Sequence, residues 1–244
     1  MNRYTSRAFM VAFIALALSR AFSFTMEPMS AVVTTAGDGR VATFRVTNDG
    51  DERIAIRFRV VSRSITVSGA EQNAEVPADF TVYPARTVVE KGQTVSVKIQ
   101  WRGPSTLDRE RCYRFIAEEV PIDSGKDSSS GLRVLFRYIA SVYAGSPSFA
   151  PSLVARVQPT VDAQEKGILS IEIANTGTRH VIAGNLEIDL AYPDGFVYTI
   201  RSDEISPLNG ANYLPGSTIR ASARRGQDFR DGSFEVSVRY ESDY

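Results

Sequence analysis

Three of the residue types that most often carry chemistry are nearly missing from this chain of 244 residues, which has one cysteine, one histidine and one tryptophan. A single cysteine, Cys112, excludes an intramolecular disulfide, so packing alone must hold the fold. One cysteine and one histidine, His180, leave no close-spaced zinc pattern. Dinucleotide-binding, phosphate-loop, nucleophile-elbow and zinc-protease motifs are all missing. Neither sign of charge dominates: 28 basic residues face 28 acidic ones, which removes any global bias toward nucleic acid or an anionic membrane. Helical periodicity is almost absent. Long apolar runs are absent too. The uncharged run from Ala8 to Ser19 falls well short of the roughly 20 residues that span a bilayer.

What is present begins with a leader. MNRYTSR carries two arginines and no acid, AFMVAFIALAL follows, and SRAFS supplies small residues before Phe24. A positive start, a short apolar stretch and a small-residue exit form a cleavable signal peptide over residues 1–23, with a retained anchor as the alternative. Losing Arg3, Arg7 and Arg20 takes the formal charge from +0 to −3. An exported chain from Phe24 to Tyr244, in a bacterial-style envelope compartment, is the expectation. Its 43% hydrophobic and 23% charged composition is ordinary for a globular protein with a core.

Period-2 alternation in short runs, bounded by Gly, Pro, Asn or Asp, recurs along the whole mature chain. RVATFRVTN sets Ala42, Phe44 and Val46 against Val41, Thr43 and Arg45. IAIRFRVVSRSITV, VEKGQTVSVKIQW, CYRFIAEEV and LRVLFRYIASVYA follow the same rule, with no crossover helix between them. That pattern describes an antiparallel sandwich. AGSPSFAPS, with two prolines, reads as a linker, after which about six or seven further strands follow. The fold class expected is all-β: two consecutive immunoglobulin-like sandwiches, residues 24–145 and 151–244.

Thr106–Pro121, TLDRERCYRFIAEEVP, crowds charge around the lone cysteine and poses the question of catalysis. A nucleophilic thiol needs a base such as histidine beside it, and His180 lies far along the chain in a turn, NTGTRHV. Cys112 is read as a small apolar core residue and His180 as a hydrogen-bonded structural one. Asp108, Arg109 and Glu110 are read as a structural charge network, with Arg109, Arg111 and Arg114 balancing the carboxylates of Asp108, Glu110, Glu118 and Glu119. A remote carboxylate pair of the glycosidase kind stays open on spacing alone. No catalytic, metal or cofactor site, and no small-molecule substrate, is expected. LRVLFRYIASVYA is the more informative stretch: Leu132, Val134, Phe136 and Tyr138 share one face of a long apolar strand that follows a polar loop. Such a strand at an edge is an aggregation hazard unless it pairs with another chain.

The ordered set of these motifs resembles the periplasmic pilus-assembly chaperones, the two-domain immunoglobulin-like family of fimbrial usher systems. The similarity rests on FTMEPMSAVV after the leader, FRVTNDGDERIAIRFRV, and DFTVYPARTVVEKGQTVSVKIQW with Phe80, Pro84, Gly92, Val95 and Val97. It continues through LDRERCYRFIAEEVPI with Arg109, Glu110, Tyr113 and Pro121, and through NTGTRHV, a form seen in divergent, archaic-type members. The resemblance implies a chaperone that lends an edge strand to a subunit whose own sandwich lacks one. Leu132, Val134, Phe136 and Tyr138 would then be the plugs, pilus or fimbrial subunits the partners, and an outer-membrane usher a further one. It also implies a periplasmic location, and an open edge that a second copy could cap by dimerising.

The chain departs from that pattern where the family carries basic residues. The two that grip a subunit's terminal carboxylate align with Ser30 and with Ala140 or Ser141, and a third arginine aligns with Ser96. A rebuilt anchor would draw on Arg137, Lys98 or Arg102; otherwise carboxylate capture is lost. An exported structural or adhesive protein on the same fold is the alternative function, and an exported hydrolase a third.

Overall fold

The computed structural model describes residues 24–76, 78–122, 134–161, 167–205 and 208–242. The expected leader and Leu132 lie outside these. Ten strands precede the linker: β1 (Thr25–Glu27), β2 (Ser30–Thr34), β3 (Val41–Thr47), β4 (Ile54–Ile65), β5 (Glu71–Glu75), β6 (Phe80–Tyr83), β7 (Arg86–Val89), β8 (Thr94–Trp101), β9 (Arg111–Val120) and β10 (Arg137–Gly145). They form two sheets, one ordered β1-β3-β8-β6 and the other β2-β10-β9-β4-β5 with β7 also on β4. Their inner faces make one core. Phe44 stacks on Phe115 at 4.3 Å, and Phe80 meets Trp101 and Tyr113 edge-on at 5.2 and 5.0 Å. The period-2 pattern explains the burial directly, since Phe44, Val46, Val97 and Ile99 are sealed while their sequence neighbours on the same strands are not.

The remaining strands are β11 (Leu153–Val161), β12 (Gly167–Asn175), β13 (Val181–Ala191), β14 (Val197–Ile200), β15 (Asn212–Tyr213), β16 (Thr218–Arg224) and β17 (Glu235–Ser242). One sheet runs β11-β12-β16; the other centres on β13, which pairs β14, β15 and β17. Leu169, Ile171, Ile173, Leu186, Ile188 and Leu190 fill a second, separate core. The chain therefore folds as two immunoglobulin-like sandwiches.

A buried asparagine closes a turn in each half. Asn48 donates to the carbonyls of Glu52 and Val89 and accepts from Gly50 N–H. Asn175 donates to those of Arg179 and Tyr213 and accepts from Ser152 and Gly177 N–H. Both are fully buried, which is tolerable because the amide is satisfied at both ends. Asn175 thereby fastens the linker to the second domain. The linker starts later than its composition suggests, because Ala144 and Gly145 still belong to β10.

Gly177 lies so close to this linker that a Cβ would meet Ser152 N at 2.4 Å and Ala150 O at 2.5 Å. Both are backbone atoms, so relief needs a shift of the chain. Gly177→Ala is expected to cost about 1–3 kcal/mol, the usual range for overpacking, read by urea denaturation. An unchanged midpoint would show that the linker is not held where it is described.

Candidate functional site

The site begins with an unequal strand. β10 pairs β9 antiparallel along Arg137–Ala144, but β2 covers its other flank only along Ser141–Gly145. Ser141 N–H donates to Met29 O at 2.9 Å, and the covering stops there. Main-chain groups of alternate residues point to opposite flanks, so those of Arg137 and Ile139 face outward, unpaired among the described residues. The expected strand start is shifted: β10 begins at Arg137, and of the residues leading into it Phe136 is tied to β9, its carbonyl accepting from Glu119 N–H at 3.0 Å. Nor is the whole run an open edge, since its second half is paired on both flanks.

The plug positions separate into two environments. Phe136 and Tyr138 are half-buried and pack on the first core, Tyr138 with its ring 4.8 Å from that of Phe24. Val134 is 58% exposed. Met29 and Leu135 are also exposed and large, so apolar surface flanks the uncovered stretch on both sides. The face that carries Phe136 and Tyr138 continues into buried Ala140, Val142 and Ala144, so it looks into the sandwich interior.

The residues suggested as a replacement anchor do not converge. Lys98 and Arg102 belong to β8 and its exit, in the sheet opposite β10, with Arg102 donating to Thr81 Oγ1. Arg137 opens β10 on its outer face. The basic groups that do stand at the seam of Ser30 and Ser141, which are register partners, come from strands further in. Arg114 of β9 donates to Ser141 Oγ at 2.6 Å and to both oxygens of Glu71, at 2.9 and 2.5 Å. Arg63 of β4 donates to the same Glu71 at 2.8 Å. The Arg63 side chain is only 8% exposed and that of Arg114 19%. Burial by itself would raise the Glu71 pKa, but the Arg114 hydrogen bond and the two guanidinium charges outweigh it and hold the carboxyl at about 2. Sequence reading missed this pair because nothing local marks it. Alternation could have placed Arg63 and Arg114 on one sheet face, but only the strand order brings them together.

The charge network around Asp108, Arg109 and Glu110 is interdomain rather than spread along one strand face. Glu110 is buried and takes His180, not a neighbouring arginine, as partner: its Oε1 lies 2.5 Å from His180 Nδ1 and accepts His180 N–H at 3.1 Å. Tyr143 of β10 stacks on the His180 ring at 3.5 Å, nearly parallel, and Asn212 Nδ2 donates to Tyr143 Oη at 2.8 Å. Asp108 and Arg109 border a hollow shared with Thr176–Thr178 and Gly216–Thr218 of the second domain. The arginines expected to balance local carboxylates serve others: Arg114 holds Glu71, and Glu118 pairs with Arg57 and Arg59.

Cys112 does come near His180 in space, through Glu110, whose Oε1 is 3.8 Å from Sγ. Burial, then the Glu110 charge, push its thiol pKa far up, the reverse of what a nucleophile requires. A cavity of about 390 Å³ lies beside it, between Arg63, Asp79, Glu110, Tyr113 and the Leu214–Ser217 turn. Among the described residues no three metal-ligating side chains cluster.

Residues 25–142 match the family model of the pili and flagellar-assembly chaperone, PapD N-terminal domain. Among curated proteins, none matches the chain. Among solved structures, the chaperone–tip adhesin complex of CFA/I fimbriae biogenesis is similar, with 15% identity and a TM-score of 0.59 over 89% of this chain and 94% of that one. The class 5 fimbriae chaperone CfaA is similar too, with 15% identity and a TM-score of 0.57 over 88% and 98%. The CsuC–CsuE chaperone–tip adhesion subunit pre-assembly complex of archaic Csu pili, from Acinetobacter baumannii, gives 13% identity and a TM-score of 0.58 over 91% and 94%. At these identities the likeness is one of fold, and it extends over both sandwiches.

Two outcomes are expected at this seam. Glu110→Ala should destabilise the protein by about 1–3 kcal/mol in urea denaturation, because it removes the carboxylate that the buried His180 backbone N–H and ring Nδ1 meet. A loss below about 1 kcal/mol would mean the pair is bypassed. Cys112 should resist a colourimetric disulfide reagent at neutral pH in the native chain and react fully in urea; rapid native labelling would contradict its burial.

Proposed function

We propose that the chain is a member of the pili and flagellar-assembly chaperone family, whose N-terminal domain model its first sandwich matches, and that it binds pilus or fimbrial subunits in the periplasm by lending them β10. The observation that carries this reading is the half-covered flank of β10, with outward main-chain groups at Arg137 and Ile139 beside Val134, Phe136 and Tyr138. A subunit strand added there gains ladder hydrogen bonds, while Val134 and the parts of Phe136 and Tyr138 left outside the first core meet a groove in the subunit. Full burial of one such side chain contributes about 1.5–3 kcal/mol, so the exposed Val134 has the most to gain and the half-buried Phe136 and Tyr138 less.

The strand's direction follows from charge. The uncovered flank ends at Ser141, where Arg114 and, behind it, Arg63 stand. Two guanidinium groups attract a terminal carboxylate and repel a terminal ammonium, so the added strand ends there and runs parallel to β10. Arg114 and Arg63 would thus take the anchoring role that Arg137, Lys98 and Arg102 are too scattered to fill. The leader over residues 1–23 delivers the chain to the periplasm, an outer-membrane usher receives the loaded subunit, and a second copy caps the edge when no subunit is present.

Replacing Val134 and Phe136 with serine should lower the recovery of co-expressed pilus subunits several-fold while the far-ultraviolet spectrum stays that of a β-protein. Because Phe136 also packs on the first core, Val134→Arg serves as a second variant that disturbs only exposed surface. Undiminished subunit recovery with both variants would favour the structural or adhesive alternative.

A further inference from the structure

Glu71 is the part of this seam that strand donation does not use. It belongs to β5, every residue of which is exposed, and among the described residues β5 pairs only β4. Yet its carboxylate is drawn inward onto two largely buried guanidinium groups, both of which it engages through charge-assisted hydrogen bonds. The two arginines therefore already hold a carboxylate, and the chemistry of what they bind is on display. Asn73 Nδ2 donates to the same group at 3.2 Å. The turn beside Glu71 is docked on the second domain: Ile65, the register partner of Glu71, packs against the second core, and Val67 O accepts from Arg220 N–H of β16 at 2.8 Å. Arg63 also donates to Tyr143 Oη at 3.5 Å, the hydroxyl that accepts from Asn212 of the second domain.

We propose that Glu71 is a resident stand-in for the client's terminal carboxylate, and that an arriving subunit exchanges its own carboxylate for it on Arg63 and Arg114. The proposal rests on the strand-lending reading and adds its regulation. Both carboxylates cannot share the pair at full strength, so Glu71 weakens capture of any strand that lacks a correctly placed terminus. It also keeps two buried cations paired while no client is bound, which is when an unmatched guanidinium would be most costly. Release of Glu71 from Arg114 removes the side-chain ties that, among the described residues, draw β5 toward β9, while the turn at Val67 stays docked on β16. Client binding is thereby felt in the hairpin.

The test uses the mature chain and a peptide of about ten residues alternating valine and threonine, made as the free acid and as the C-terminal amide. Amide resonances of Arg137 and Ile139 report docking on β10, and hydrogen exchange over Glu71–Glu75 reports the hairpin. In Glu71→Gln the free acid should bind about tenfold or more tighter than the amide. In the wild type the preference should be smaller, and saturating acid, unlike the amide, should speed exchange of β5. Arg114→Ala should abolish the preference. Docking at β10 with no acid preference in Glu71→Gln overturns the exchange and leaves strand donation standing. An equal preference in both proteins with unaltered exchange also overturns it. If neither peptide moves Arg137 or Ile139, strand donation falls as well, and the exchange with it.

Discussion

A β-strand has two flanks of main-chain donors and acceptors, and a soluble protein must pair, cover or charge both. β10 is fully paired along one flank and, on the other, covered by β2 only from Ser141 onward. Everything proposed for this chain follows from the stretch that β2 leaves bare. In the proposed strand donation the unpaired main chain there would supply affinity without sequence preference, and the alternating side chains selectivity. The exposed Met29, Val134 and Leu135 around the bare stretch would be a liability in a protein that worked alone.

The same strand ties the two domains together. Its far end carries Tyr143, which stacks on His180 and accepts from Asn212, while the neighbouring β9 is entered through Glu110, which holds His180. One strand thus takes part in the open edge, the arginine pair and the interdomain seam. Moving it at one place strains the others, because packed interiors deform little. The seam is built from buried polar groups, Glu110 meeting His180 and Tyr143 accepting from Asn212 Nδ2, and such hydrogen-bonded groups rigidify the geometry they share.

Much of the fold was legible from period-2 alternation, since a half-buried strand must put apolar residues on one face. Phe44, Val46, Val97 and Ile99 are buried as that rule demands, and the proline-containing stretch after β10 does separate two cores. The inward face of β10 was legible for the same reason: Phe136 and Tyr138 share it with buried Ala140 and Val142. The anchor was not. Lys98 and Arg102 looked suitable by charge and proximity to the matched motifs, yet β8 lies in the opposite sheet. Arg63, Glu71 and Arg114 come from three strands, and their meeting depends on the order β10-β9-β4-β5, which no local pattern encodes.

By itself the sequence determined an all-β chain with two cores, no chemistry-bearing cluster at short spacing, and one conspicuous apolar strand before the linker. These are local properties, set by alternation, turn residues and composition over a few residues at a time. Only the tertiary structure decided which flank of that strand stays bare, that Glu110 reaches His180 across the domains, and that Arg63 and Arg114 share one carboxylate. Each of those depends on which distant segments become neighbours, and strand order is a property of the whole chain's packing.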